Sequence, residues 1–87
     1  MADAPIRISV ISPERTIYEG TADMVVAPAW DGEVGILKNH APMIVLLGQG
    51  DLRVRRGNTE ERFFVGGGFL QVIDNTITVL SERAEAA

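Results

Sequence analysis

The strongest constraint on this chain is its punctuation. Apolar residues arrive in short runs, and Gly, Pro or Asp-Asn signals interrupt them before a helix could reach the ~12 residues it needs to hold. Ile6, Ile8 and Val10 alternate with Arg7 and Ser9, and Thr76 to Leu80 alternates again, which places apolar side chains on one face of a strand. Met24-Val25-Val26-Ala27, closed by Pro28, is continuous instead and predicts a strand covered on both faces. Met43-Ile44-Val45-Leu46-Leu47 is the most apolar run. Its two faces need two covers, the core on one side and a neighbouring element or another protein on the other.

Turn chemistry joins these runs. Ser12-Pro13-Glu14-Arg15, Trp30-Asp31-Gly32, Gly48-Gln49-Gly50 and Asp74-Asn75 all read as turns, and Gly20 is expected to end or bend its strand. A hairpin tip at Gly57-Asn58 sets Leu52 opposite Phe63 and Arg55 opposite Glu60, at the small cost of facing Arg53 with Arg62. The expectation is an all-β fold, a flattened sandwich or barrel of about 8–10 short strands. Residues 1–81 form this domain, and 82–87 are a short tail. The tail has helix-forming residues but is too short for an isolated helix, so a frayed end or one docked turn is expected and no C-terminal helical hairpin.

Charge and composition narrow the function classes. Twelve Asp plus Glu against eight Lys plus Arg leave a net charge of −4, which argues against a general nucleic-acid or anionic-membrane binder. With no cysteine, neither a disulfide framework nor a Cys-based metal site can form. No apolar run approaches the ~18–20 residues of a membrane span, and Met-Ala-Asp-Ala-Pro carries neither a signal core nor an Arg-rich transit pattern.

The stretch from Gly32 to Pro42 is the most individual in the chain. Gly32 and Gly35 frame Glu33, a short apolar step follows, and the sole histidine, His40, stands just before Ala41-Pro42. Pro42 biases Ala41 toward extended geometry and Asn39 tolerates the left-handed region, so the pattern is a strand running into a shaped loop. Catalysis by His40 needs a nucleophile or an orienting carboxylate, and a mononuclear metal site needs three or four ligands where only one His exists. His40 is therefore read as a loop or contact residue, and no cofactor or metal is expected. Gly66-Gly67-Gly68 is not followed by Lys-Ser or Lys-Thr, so it reads as a bulge or a close backbone approach rather than a phosphate loop. Arg53, Arg55, Arg56 and Arg62, interleaved with Glu60 and Glu61, read as a solvated hairpin face. Physics alone supports a β-sandwich with a shaped loop and surplus apolar surface. A free-standing protein-binding module and, more remotely, a small hydrolase using His40 stay open.

Val10-Ile11-Ser12-Pro13-Glu14-Arg15, Gly32-Glu33-Val34-Gly35-Ile36-Leu37 with His40-Ala41-Pro42, and Gly67-Gly68-Phe69-Leu70-Gln71-Val72 followed by Asn75-Thr76-Ile77-Thr78-Val79-Leu80 occur in one order and spacing. Together they resemble the epsilon subunit of F-type ATP synthase. Lys38-Asn39 departs from the Pro-Gly that many members carry there. The resemblance implies a sandwich of about ten strands at the foot of the central stalk. It implies a non-catalytic rotor part that binds the gamma subunit and rests on the c-subunit ring, with no direct membrane insertion. Its expected place is peripheral on the cytoplasmic face of the bacterial inner membrane. By position, Glu33, Lys38, Asn39, His40, Ala41 and Pro42 are expected to face the ring, and Met43, Val45 and Phe69 to offer apolar surface to gamma. The inhibitory helices and ATP-binding motif known in longer members are not expected in these residues.

Overall fold

Alternation becomes layering: each strand sends every second side chain inward, and two sheets bury those side chains against each other. In a computed structural model, which describes residues 5–87, ten strands form among the described residues. They are β1 (Ile6–Ile11), β2 (Thr16–Ala22), β3 (Met24–Ala29), β4 (Gly32–Leu37), β5 (Met43–Leu46), β6 (Gln49–Arg56), β7 (Thr59–Gly66), β8 (Phe69–Ile73), β9 (Thr76–Leu80) and β10 (Arg83–Ala86). No helix occurs among them. One sheet, here sheet A, has the order β2-β1-β9-β8-β5, and sheet B has β10-β7-β6-β3-β4. Every pairing is antiparallel except β1 with β9.

The core lies between the sheets. Ile8, Val10, Leu70, Val72, Ile77 and Val79 come from sheet A and meet Val25, Ile36, Leu52, Val54, Phe63 and Val65 of sheet B. Tyr18 closes one side with its ring 5.0 Å from that of Phe63. The β6–β7 hairpin has the expected register, Leu52 against Phe63 and Arg55 against Glu60. The expected Arg53–Arg62 pair is present too, and neighbouring acids neutralise it: Arg53 reaches Glu33, and Arg62 reaches Glu60 and Asp51.

Three local expectations need correction. Gly20 does not end its strand, because β2 runs through it to Ala22; a Cβ there would stand 2.5 Å from the Tyr18 hydroxyl, so the missing side chain leaves room for that ring. Pro28 lies inside β3, which is possible because pairing with β6 ends at Val26 and no ladder bond is forfeited on that side. The tail forms neither a helical turn nor a frayed end. Arg83–Ala86 is strand β10, paired with β7 from Arg83↔Gly66 to Ala86↔Phe63, because tertiary pairing overrides helix propensity over so few residues. Ser81 is buried at this junction. Its hydroxyl accepts from the Gly66 N–H at 3.1 Å and donates to the Arg83 carbonyl at 2.6 Å.

The triple glycine serves close approach. Gly68 has φ +97°, and a Cβ on it would stand 2.0 Å from the Leu80 carbonyl oxygen. No other residue type lets the chain cross from β7 in sheet B to β8 in sheet A this near the β9 backbone.

Candidate protein-docking surfaces

The apolar exposed residues gather on the β5–β8 side of sheet A, while its β2–β1 side carries Arg7, Ser9, Glu19 and Thr21. On sheet A the pairing sets Ile44 beside Gln71, Leu46 beside Phe69, and Phe69 beside Leu80, all directed outward. Ile44 is 70% exposed, Leu46 63% and Phe69 37%, and Ile73 and Leu80 extend the same apolar face. Trp30, 70% exposed at the β3–β4 turn, adjoins it: its backbone N–H donates to the Leu46 carbonyl at 3.0 Å.

Pairing with β8 decides which apolar side chains of β5 are exposed. Met43 and Val45 face inward, opposite Val72 and Leu70, and pack half-buried against the core, while Ile44 and Leu46 take the outward positions. All five residues of Met43–Leu47 are apolar, so nothing in that segment says which parity faces out; the register with β8 decides it. Phe69 faces outward.

Sheet B carries charge on its outer face. Both carboxylate oxygens of Glu33 accept from Arg53 Nη2 at 3.2 Å, an ion pair that crosses β3. Arg62 and Arg55 both bind Glu60, at 2.9 and 3.0 Å, and hold its carboxyl below the usual range. Arg83 pairs with Glu85 at 2.8 Å and lies over the Phe64 ring. Near the hairpin, burial first and then the neighbouring Glu61 carboxylate push the Tyr18 hydroxyl above its ordinary pKa.

Glu33 and the His40 loop, adjacent in the sequence pattern, are not adjacent in space. Glu33 sits at the start of β4 beside the Trp30 turn, whereas Lys38–Pro42 follows the other end. Five strand residues at ~3.3 Å each put roughly 16 Å between Glu33 and Lys38. The loop is tied at its own end: Lys38 Nζ lies 3.8 Å from Asp23, and the Asn39 N–H donates to Asn75 Oδ1 at 2.6 Å. Asn39 has φ 65°, the left-handed geometry read from the sequence. His40 Nδ1 contacts the Ala41 carbonyl at 2.7 Å, which as a hydrogen bond makes Nδ1 the protonated nitrogen. Pro42 and Met43 then line a shallow depression with Ile44, Gln71 and Ile73, so the loop runs into the apolar flank.

The polar partner found for His40 is a backbone carbonyl, and the described residues hold no group of three metal-ligating side chains. The sequence did not single out Ile44 and Leu46 within their run, or Trp30 and Asn75 within their turns, since the register and turn contacts that expose or engage them join residues far apart in the chain.

Fold and surfaces define a two-sheet scaffold domain with an apolar flank on the β5–β8 side of sheet A and a charged outer face on sheet B. The family of ATP synthase delta/epsilon-chain β-sandwich domains matches residues 5–87. The ATP synthase epsilon chain of Symbiobacterium thermophilum is 47% identical over 85 residues, covering 97% of this chain and 61% of that one. The epsilon chain of Alkalihalophilus pseudofirmus is 42% identical over 80 residues, covering 92% and 60%. Among solved structures, a chain of the Euglena gracilis mitochondrial ATP synthase (OSCP/F1/c-ring) superposes with a TM-score of 0.86 at 20% identity, over 99% of this chain and 61% of that one. A chain of the Tetrahymena thermophila mitochondrial ATP synthase central stalk and c-ring gives 0.74 at 18%, over 97% and 68%. These two likenesses speak to the fold. This chain belongs to the ATP synthase delta/epsilon-chain β-sandwich family, and it spans about three fifths of the length of the relatives it matches.

Proposed function

We propose that this chain is the sandwich part of an epsilon subunit, a non-catalytic rotor component of an F-type ATP synthase that binds gamma, stands on the c ring and helps couple ion flow to ATP synthesis. Family membership supports the class, and the outer face of sheet A is the observation that carries the contact: Ile44, Leu46, Phe69, Ile73 and Leu80 form an apolar surface that isolated monomers rarely leave open. Gamma is the partner assigned to that flank. A body with a single core between two sheets has no hinge along its length and can pass torque without absorbing it.

Glu33 is assigned to the polar loops of the ring. Its carboxylate is already oriented by Arg53, so it offers a fixed acidic contact rather than a freely rotating one. Lys38, Asn39, His40, Ala41 and Pro42 are expected at the ring from the resemblance; because they lie at the far end of β4 from Glu33 and next to β5, the proposal assigns them to the gamma-facing flank instead. One flat rim could touch both ends only by running along β4. The complex then holds the chain at the cytoplasmic face of a bacterial inner membrane.

Cysteine cross-linking in the assembled enzyme tests the assignment. Glu33→Cys is expected to capture a c subunit and His40→Cys to capture gamma. Normal coupling of ion flow to synthesis in rotor particles stripped of this chain would remove the proposal, and exchanged cross-linking partners would reverse the orientation.

A further inference from the structure

Among the described residues, all three non-glycine positions with positive φ gather in one corner: Asn39 at 65°, Asp74 at 49° and Asn75 at 57°. Asp74 and Asn75 form the β8–β9 turn of sheet A, and Asn39 lies in the loop by which the chain passes from sheet B to sheet A. The two asparagines close on each other across 36 positions of sequence. Asn75 Oδ1 accepts the Asn39 N–H at 2.6 Å, and Asn75 Nδ2 donates to Asn39 Oδ1 at 3.1 Å. The Asn75 carbonyl also accepts the Arg7 N–H at 2.8 Å, tying the same residue to β1.

The loop has few other ties. Among the described residues, its hydrogen bonds to distant parts of the chain are both to Asn75, and one exposed ion pair, Lys38 with Asp23, adds little. Beyond the clasp, Ala41 and Pro42 are exposed and Ile44 opens the apolar flank. An ordinary turn residue would satisfy the β8–β9 hairpin, and glycine would do so with less strain. A side chain that both accepts and donates toward the neighbouring loop is an additional feature, and its effect falls on where His40 and Pro42 stand relative to sheet A.

We propose that Asn75 is a positioning residue for the rotor contact: it holds the Lys38–Pro42 loop at the height at which the loop and the sheet A flank meet gamma together. This rests on the rotor reading above. Asn39 supplies the complementary half of the clasp.

Two variants separate this role from a merely structural one. Asn75→Gly keeps the left-handed backbone and deletes the side chain, while Asn75→Asp tolerates the same φ and keeps the acceptor for the Asn39 N–H. Amide exchange is followed by NMR in the free 87-residue chain, and affinity for purified gamma by calorimetry. In Asn75→Gly the Asn39 amide is expected to exchange about tenfold faster relative to the slowest amides of β8, with affinity for gamma about fivefold weaker. In Asn75→Asp, which keeps the acceptor but loses the donor to Asn39 Oδ1, both quantities are expected to fall between those of the parent and of Asn75→Gly. Unchanged Asn39 exchange in Asn75→Gly would overturn the clasp. Faster exchange with unaltered affinity would overturn the positioning role. Failure of the parent chain to bind gamma would overturn the rotor reading and this role with it, and the exchange data would show that the clasp itself was not at fault.

Discussion

Adjacent residues of β5 are expected to fail in opposite ways, and the contrast tests both the register and the docking face. Leu46→Ala removes three carbons, worth about 0.8 kcal/mol each when fully buried. Leu46 is 63% exposed in the free chain, so docking recovers up to about 1.5 kcal/mol of that total, near tenfold in Kd for gamma. Folding keeps at most the remaining ~0.9 kcal/mol, so the melting temperature should fall by no more than about 4–7 °C. Val45→Ala instead deletes two methyls that pack against the core, at about 1–2 kcal/mol, which lowers the melting temperature by about 5–15 °C. Its effect on affinity should be small once the chain is folded. Thermal melts by circular dichroism and calorimetric titration with gamma read the two quantities separately. A Leu46→Ala chain that loses stability while Val45→Ala loses only affinity would refute the parity and the docking face derived from it.

Gly68→Ala should destabilise the fold by at least about 3 kcal/mol in urea unfolding, because the new methyl meets the Leu80 carbonyl in backbone that already has φ +97°; a loss under ~1 kcal/mol would contradict that packing. Glu33→Gln should change stability by no more than about 1 kcal/mol, and the change should shrink in 1 M salt, since the Glu33 carboxylate is largely solvated; a larger, salt-independent loss would show a structural role. Glu60 predicts a pH dependence. Its carboxyl is held below the ordinary 4.5, so its contribution is fully present above that value and is lost as pH falls through the lower folded pKa. Replacing it in Glu60→Gln should flatten the acid side of the stability profile from urea titrations, and an unchanged profile would show that the Arg62 and Arg55 contacts do not persist in solution.

Much of the architecture is written locally. Alternation in Ile6 to Val10 and Thr76 to Leu80 appears as β1 and β9 with Ile6, Ile8, Val10, Ile77 and Val79 buried, and Gly57-Asn58 turns the hairpin in the register that its apolar pairs require. Asn39 and Asp74-Asn75 adopt the left-handed geometry that their short polar side chains tolerate. The charged hairpin face is equally plain from the spacing of Arg and Glu.

What stayed hidden depends on partners remote in sequence. Arg83–Ala86 has the composition of a helix, and only the open edge of β7 makes it a strand. Glu33 and His40 look like one site because seven positions separate them, yet an extended strand carries them to opposite ends of the sheet. Five consecutive apolar residues contain no polarity to say which parity faces solvent, so the docking face waited on the pairing of β5 with β8. Backbone preference and side-chain period are properties of a few neighbouring residues, and sequence determines them directly. Which strand lies beside which, and therefore which face is covered and which loop is clasped, is a collective outcome of packing that no single segment encodes.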